Sequence, residues 1–406
     1  MIEVSRVSQW LETHIEGLRG PFEFNMIAGG RSNITYRVVD SAGKQVVLRR
    51  PPTGHVLATA HDMAREHRII SAVGQTAVPV PKTLGVCTDL EVNGSPFYVM
   101  SYVEGEVLDS QIKARVMTPE VRRTASENLI DVMVALHDVD IDAVGLGDLA
   151  RRDGYIERQI KRWSAQWENS KQRELPEMEE VERLLREGMP QQLGATIAHG
   201  DYRFGNCLTN TTTGEITGVL DWELCTLGDP LADIGYLGVY WSDPGALARK
   251  ENDPSGLEGF PTYKEMVAMY GQKSGRDVSN IGYYVAFSSW RLAVISEGVY
   301  ARYVHGAMGK SDYDPAPLQR SVEMMVESAL HALQGEKSEQ CKCTGTSRLG
   351  AQLVFVCQYH SRHVSQRQWA RCSGCARNSW YHTSCFTLCR RSCASRFHRG
   401  DAVARW

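Results

Sequence analysis

The chain has 406 residues, 42% of them hydrophobic, enough apolar material for one full core or for two lobes sharing a cleft. Its formal net charge is −3, so the whole molecule has no electrostatic bias toward nucleic acid or an anionic membrane surface. No apolar run approaches the roughly 18–20 residues of a membrane helix, and the opening MIEVSRVSQWLETHIEGLRG lacks a secretory apolar region, so a cytoplasmic protein is expected.

In chain order, residues 22–50 read as three strands. Phe22, Phe24 and Met26 alternate with polar positions, and Ala28-Gly29-Gly30-Arg31-Ser32-Asn33 breaks the pattern. Ile34–Val39 and Gln45–Arg49 resume it around the turn 40–44, and Pro51-Pro52 stops the last strand. From about Ala58 to Val73 the spacing turns helical. Val78-Pro79-Val80-Pro81 must be extended, because a residue before proline is pushed out of the helical region. Pro96–Val103 reads as a buried strand. The pattern predicts a small, mostly antiparallel N-terminal lobe over 1–103.

Beyond it the chain is mainly helical, giving a larger lobe over 104–335. Thr118-Pro119 is a helix start, followed by the core-facing stripe Leu129, Val132, Met133 and Leu136. A charged helix is expected over 176–188, and helical patterns over 229–241, 262–271, 280–304 and 315–334. Between them lie two short apolar segments, Ala195–Ala198 and Ile216–Leu220, and each runs into a polar cluster.

Those clusters carry the chemistry. The first is His199-Gly200-Asp201-Tyr202-Arg203-Phe204-Gly205-Asn206; the second is Leu220-Asp221-Trp222-Glu223, with Asp221 fifteen positions after Asn206. Phosphoryl transfer from ATP needs positioning and charge neutralisation more than covalent help. One carboxylate must take the proton of the acceptor hydroxyl, and two oxygen ligands must hold Mg²⁺ against the triphosphate. The spacing fits Asp201 as the base and Asn206 and Asp221 as the metal ligands.

HGDYRFGN, VLDWE and LGDPLADIGYL, in this order, resemble the aminoglycoside phosphotransferase and choline kinase family. The likeness is greatest to the phosphotransferase domain associated with acyl-CoA dehydrogenases, and it runs from about residue 20 to 335. The stretches Val46–Pro52, Arg65-Glu66, Val78–Pro81, Phe97–Met100 and Glu297–Arg302 share in it. The resemblance implies a two-lobed, protein-kinase-like α+β fold with ATP between the lobes. It implies that Gly29, Gly30, Ser32 and Asn33 cover the phosphates and that Glu66 pairs with the basic residue ending the third strand. An ordinary hairpin turn is the plainer account of the two glycines. That basic residue is Arg49 where kinases generally carry lysine, which leaves a nucleotide-binding regulatory pseudokinase as the alternative. The preferred acceptor is a hydroxyacyl-CoA or hydroxy acid, linking the chain to acyl-CoA metabolism, ahead of an aminoglycoside. Arg291, Tyr300 and Arg302 lie on a helix that faces either the core or the acceptor pocket, and in the second case they would form a basic, partly aromatic wall for it. His199 and Asp233 are expected to be structural, and Cys207 a packed residue.

Of 11 cysteines, only Cys87, Cys207 and Cys225 precede residue 340, so the body resembles a reduced intracellular enzyme. The tail, 336–406, changes composition abruptly: from Cys341 onward Asp401 is its only acidic residue. Cys372-x2-Cys375-x6-His382-x2-Cys385 resembles half of a PHD-type zinc finger, with Cys357, His360, Cys389 and Cys393 as further ligands. A zinc-dependent interaction module is therefore one reading of the tail. A frame-shifted or foreign extension, poor in acidic residues and without hydrophobic periodicity, is the favoured one.

Overall fold

The computed structural model describes residues 2–27, 33–52, 62–244, 253–305, 314–339, 346–349 and 352–355. It separates into two compact units, Met1–Lys337 and Ser338–Trp406.

The first unit begins with α1 (Val4–His14), β1 (Glu23–Ile27), β2 (Ile34–Val39), β3 (Gln45–Arg50), α2 (Met63–Val73), β4 (Thr83–Cys87), the one-turn α3 (Leu90–Asn93) and β5 (Phe97–Ser101). The five strands pair antiparallel in the order β1-β2-β3-β5-β4. Side chains alternate between the sheet's two faces. Val46, Leu48, Phe97 and Val99 pack with Val7, Leu11 and Ile15 of the N-terminal segment. Val47, Tyr98 and Met100 join Ile69, Ile70 and Val73 of α2 in the larger core. Arg49 lies two residues beyond Val47 and so projects to the α2 side. Helix α2 opens at Met63, with the Asp62 carboxylate accepting from Arg65 N, and 58–61 lie outside the described residues.

The helical part comprises α4 (Gln111–Ala114), α5 (Pro119–His137), α6 (Tyr155–Ser170), α7 (Pro176–Glu187), β6 (Thr196–Ala198), β7 (Cys207–Thr209), β8 (Ile216–Val219), β9 (Thr226–Gly228), α8 (Leu231–Val239), α9 (Tyr263–Ser274), α10 (Ile281–Val304) and α11 (Ala316–Glu339). Thr118 caps α5 from its side chain, and Leu129, Met133 and Leu136 are fully buried. Helix α6 was not among the expected elements, although Ile156, Ile160, Trp163 and Trp167 bury a stripe at helical spacing. Strand β6 pairs with β9, and β7 with β8, as two-stranded ribbons on which the polar clusters hang.

In the second unit, β10 (Thr346–Leu349) and β11 (Gln352–Phe355) form an antiparallel pair. The proposed zinc ligands, from Cys357 to Cys393, lie outside the described residues.

Candidate active site

The β7–β8 register places Cys207 opposite Val219, so Asn206 faces Leu220 and its carbonyl accepts from Leu220 N at 2.8 Å. The hairpin thereby returns Asp221 beside Asn206. His199 ties the two clusters together: its Nε2–H donates to the Leu220 carbonyl at 2.9 Å, and its Nδ1 accepts from Asp201 N at 3.2 Å. Both contacts are satisfied by one neutral tautomer. Asn206 Nδ2 donates to the Asp201 carbonyl at 2.8 Å, so the amide oxygen is the atom of this side chain that could ligate a metal. Asp221 has φ 65°, the one positive φ outside glycine among the described residues. Aspartate tolerates that region better than most residues, and positions held there cluster at functional sites.

The loop is anchored from beneath. Asp233, in the first turn of α8 and fully buried, accepts from His199 N at 2.7 Å, Gly200 N at 2.8 Å and His137 Nε2 at 3.2 Å. Burial works to raise its carboxyl, but the His137 hydrogen bond and charge and the Gly200 amide prevail and hold it below the ordinary aspartate range. Gly200 has φ 83°, and a Cβ there would lie 2.8 Å from the Leu224 carbonyl, so the turn into Asp201 requires glycine. Arg291, buried on α10, donates to the Gly200 carbonyl at 2.6 Å and stacks over Tyr236 at 4.5 Å.

Across from the loop, the sheet presents a largely buried cation. Arg49 Nε lies 3.3 Å from Glu66 Oε2, close enough for an ion pair although not aligned as a hydrogen bond. Its Nη2 pairs with Asp221 and lies 3.9 Å from Glu223 Oε2. Tyr98, opposite Arg49 on β5, donates to Glu66 Oε2 at 3.0 Å. Burial pushes the Glu66 carboxyl up despite the pull of Arg49. Asn33 Nδ2 donates to Glu66 Oε1 at 3.2 Å and Glu223 Oε2 at 3.1 Å, so its amide is turned toward the carboxylates. Asn33, Arg49, Glu66 and Asp221 thus form one network, while Asp201 and Asn206 share the adjoining loop. Gly29, Gly30 and Ser32 lie outside the described residues.

A cavity of about 360 Å³ opens beside the loop, lined by Leu108, Arg203, Phe204, Leu237, Tyr240 and Trp241 among others. Arg203 Nε donates to Asp201 Oδ1 at 3.1 Å, so the cavity adjoins the candidate base. The basic wall expected from α10 is not found there: Arg291 is spent on the loop backbone, Arg302 is exposed, and Tyr300 is not among the lining residues. Arg203 supplies the cation instead. Sequence reasoning passed over it and Glu223, although both sit within two residues of a chosen aspartate. Cys207 is fully buried, and burial pushes its thiol up to about 12, in keeping with packing rather than nucleophilic chemistry.

A sequence profile of the phosphotransferase enzyme family, which includes the aminoglycoside phosphotransferases, matches residues 23–266. A crystal structure of a Ralstonia eutropha protein assigned to the aminoglycoside phosphotransferases is 31% identical, with TM-score 0.71, covering 82% of this chain and 99% of that one. This chain belongs to that family. The chain is also 35% identical over 307 residues to acyl-CoA dehydrogenase family member 10 of Mus musculus, covering 73% of this chain and 28% of the relative. It spans less than half the length of the curated relatives it matches first. An amicoumacin kinase in complex with AMP-PNP and Ca²⁺ shares the fold at 13% identity, with TM-score 0.54, covering 79% of this chain and 93% of that chain. The fold is therefore the two-lobed, kinase-like α+β architecture that the motifs imply.

Proposed function

We propose that this phosphotransferase moves the γ-phosphoryl group of ATP onto a hydroxyl of a small metabolite, a hydroxy acid or hydroxyacyl-CoA rather than an aminoglycoside. The observation that carries this reading is the seat of Asp201: on a backbone-clamped loop, paired with a cavity-lining residue, and tied through His199 to the turn that carries Asp221. In the reaction the acceptor O–H proton passes to the Asp201 carboxylate while its oxygen bonds to the γ-phosphorus. The bond from that phosphorus to the β–γ bridging oxygen breaks, and ADP leaves with the electron pair. The amide oxygen of Asn206 and the carboxylate of Asp221 are hard donors suited to Mg²⁺, which when bound neutralises developing phosphate charge. Arg49 must exchange its contact with Asp221 for one with phosphate, and Glu66 keeps the guanidinium in place while it does so.

Two features support the acceptor class. The cavity is walled mostly by aromatic and aliphatic side chains with one arginine, and its two carboxylates, Asp109 and Asp253, are engaged by Lys113 and by Ser242 and Ser255, whereas a polycationic aminoglycoside calls for acidic walls turned to the ligand. The similarity to acyl-CoA dehydrogenase family members points toward acyl metabolism. The test is Mg²⁺-dependent ADP release by wild type and Asp201→Ala across hydroxy acids, hydroxyacyl-CoAs and aminoglycosides. Turnover with an acyl acceptor that is lost in the variant supports the proposal, and turnover confined to aminoglycosides refutes its acceptor class. A second reading, a regulatory nucleotide binder, is favoured by the direct Arg49–Asp221 pair. Tight ATP binding without turnover on any acceptor would select it.

A further inference from the structure

Arg203 has a built seat that neither the catalytic roles above nor the family resemblance explains. It follows Asp201 by two residues and lies in the extended stretch before the one-turn 3-10 helix Phe204–Asn206. Its Nε is spent on Asp201 Oδ1 at 3.1 Å. Its guanidinium carbon lies 4.7 Å over the Tyr240 ring, so one face is covered by an aromatic. A Cβ on Gly205 would fall 1.9 Å from Arg203 Nη1, so the guanidinium occupies space that exists only because residue 205 has no side chain. Nearly three-quarters buried, with its side chain 28% exposed, it borders the cavity.

The other charged groups lining that cavity are already engaged. Asp109 pairs with Lys113 at 3.2 Å, and Asp253 accepts from Ser242 Oγ at 2.8 Å and Ser255 Oγ at 3.0 Å. Leu108, Phe204, Leu237, Trp241 and Pro254 give the cavity apolar walls, beside the Tyr240 and Ser255 hydroxyls. An apolar body with one anionic end, its hydroxyl toward Asp201, matches these walls.

We propose that Arg203 is the specificity-determining residue of the acceptor pocket, its Nη edge binding a carboxylate of the acceptor. The occupant is then a free hydroxy acid with an aliphatic body. A hydroxyacyl-CoA has lost that carboxylate to the thioester, and its pantetheine arm carries the phosphates far from the hydroxyl. This inference rests on the phosphotransferase reading and narrows it from two acceptor classes to one. The pairing with Asp201 has a second consequence. As Asp201 gains the acceptor proton its charge disappears, and Arg203 is left wholly to the bound anion.

The test compares a medium-chain hydroxy acid, the diol of the same length and the matching hydroxyacyl-CoA, using wild type, Arg203→Gln, Arg203→Lys and Gly205→Ala. Wild type prefers the acid. In Arg203→Gln the ratio of kcat/KM for acid over diol falls about 10- to 100-fold, as expected for loss of a charge-assisted pair, with the change mainly in KM for the acid. Arg203→Lys keeps part of the preference, and Gly205→Ala lowers it by displacing the guanidinium. ADP binding reports that each variant is folded, and Gly205→Ala decides the matter if Arg203→Gln is not. An unchanged acid-to-diol ratio overturns the proposal. So does an equal loss of kcat on both acceptors, which would assign Arg203 to the transferring phosphoryl group, and so does a wild-type preference for the thioester. If wild type turns over no acceptor, the phosphotransferase reading fails separately. Calorimetric titration of acid and diol then still tests Arg203, because acid binding that Arg203→Gln abolishes supports the proposal and indifference to the substitution overturns it.

Discussion

On the sheet side of the site, Arg49 meets Glu66, Asp221 and Glu223 through side chains alone, and Asp221 is 29% exposed. On the helical side, Asp233 is wholly buried and takes two backbone amides and a histidine. The first arrangement can exchange partners, since a metal or phosphate offers Asp221 and Arg49 alternatives to each other. The second cannot, because backbone amides have nowhere else to donate inside the core. The candidate base is thus carried on a rigid support, while the proposed nucleotide side is held by side-chain contacts that can exchange partners. Their titrations also differ in sign. Asp233 is held below the ordinary range, so its stabilisation is present above about pH 4 and is lost as pH falls through the depressed folded value. Glu66 is held above it, so the folded state keeps its proton more readily, and this contribution weakens as pH rises through the window between the ordinary and raised values.

The largest effect should come from breaking the rigid side. Asp233→Ala leaves two buried amides and His137 without their acceptor and should cost about 3–5 kcal/mol in urea unfolding, with turnover lost. In Asp233→Asn the fall of stability on acidification should be shallower than in wild type, measured by unfolding across the acid range. If the slope is unchanged, the carboxylate is not the group responsible. Next is Arg49→Ala, which should lower kcat/KM for ATP about 10- to 100-fold. Arg49→Lys should lose less, and an Arg49→Ala enzyme with wild-type ATP kinetics would remove Arg49 from the nucleotide site. The smallest is Tyr98→Phe, which deletes one hydrogen bond to Glu66 and should cost about 1 kcal/mol in thermal or urea unfolding. A cost as large as that of Asp233→Ala would erase the contrast between the two sides.

Much of this was legible in the sequence because it depends on local period and spacing. Alternation in β3 puts Arg49 on the face that meets α2, and Glu66 stands on a helical stripe with Met63 and Ile70, a charge where an apolar residue would be expected. The fifteen-residue interval from Asn206 to Asp221 becomes a hairpin whose register brings the two together. What was not legible depends on which groups share a space. Whether Arg291, Tyr300 and Arg302 face the core or the acceptor pocket could not be read from the pattern of α10, because its apolar residues run nearly all round; Arg291 is buried against the loop backbone, and Arg203 supplies the cation at the cavity. Glu223 was passed over because its partners, Asn33 and Arg49, lie about 170 to 190 residues away in the chain. Asp233 was expected to be structural, but nothing local named the His199 and Gly200 amides as its donors.

The central claim is that Asp201 is the base for phosphoryl transfer, and single-turnover transfer from γ-labelled ATP to a hydroxy acid by wild type and Asp201→Asn tests it most directly. The account predicts unchanged nucleotide affinity in the variant and a transfer rate lower by about 10²- to 10⁴-fold. Transfer at the wild-type rate by Asp201→Asn would contradict it.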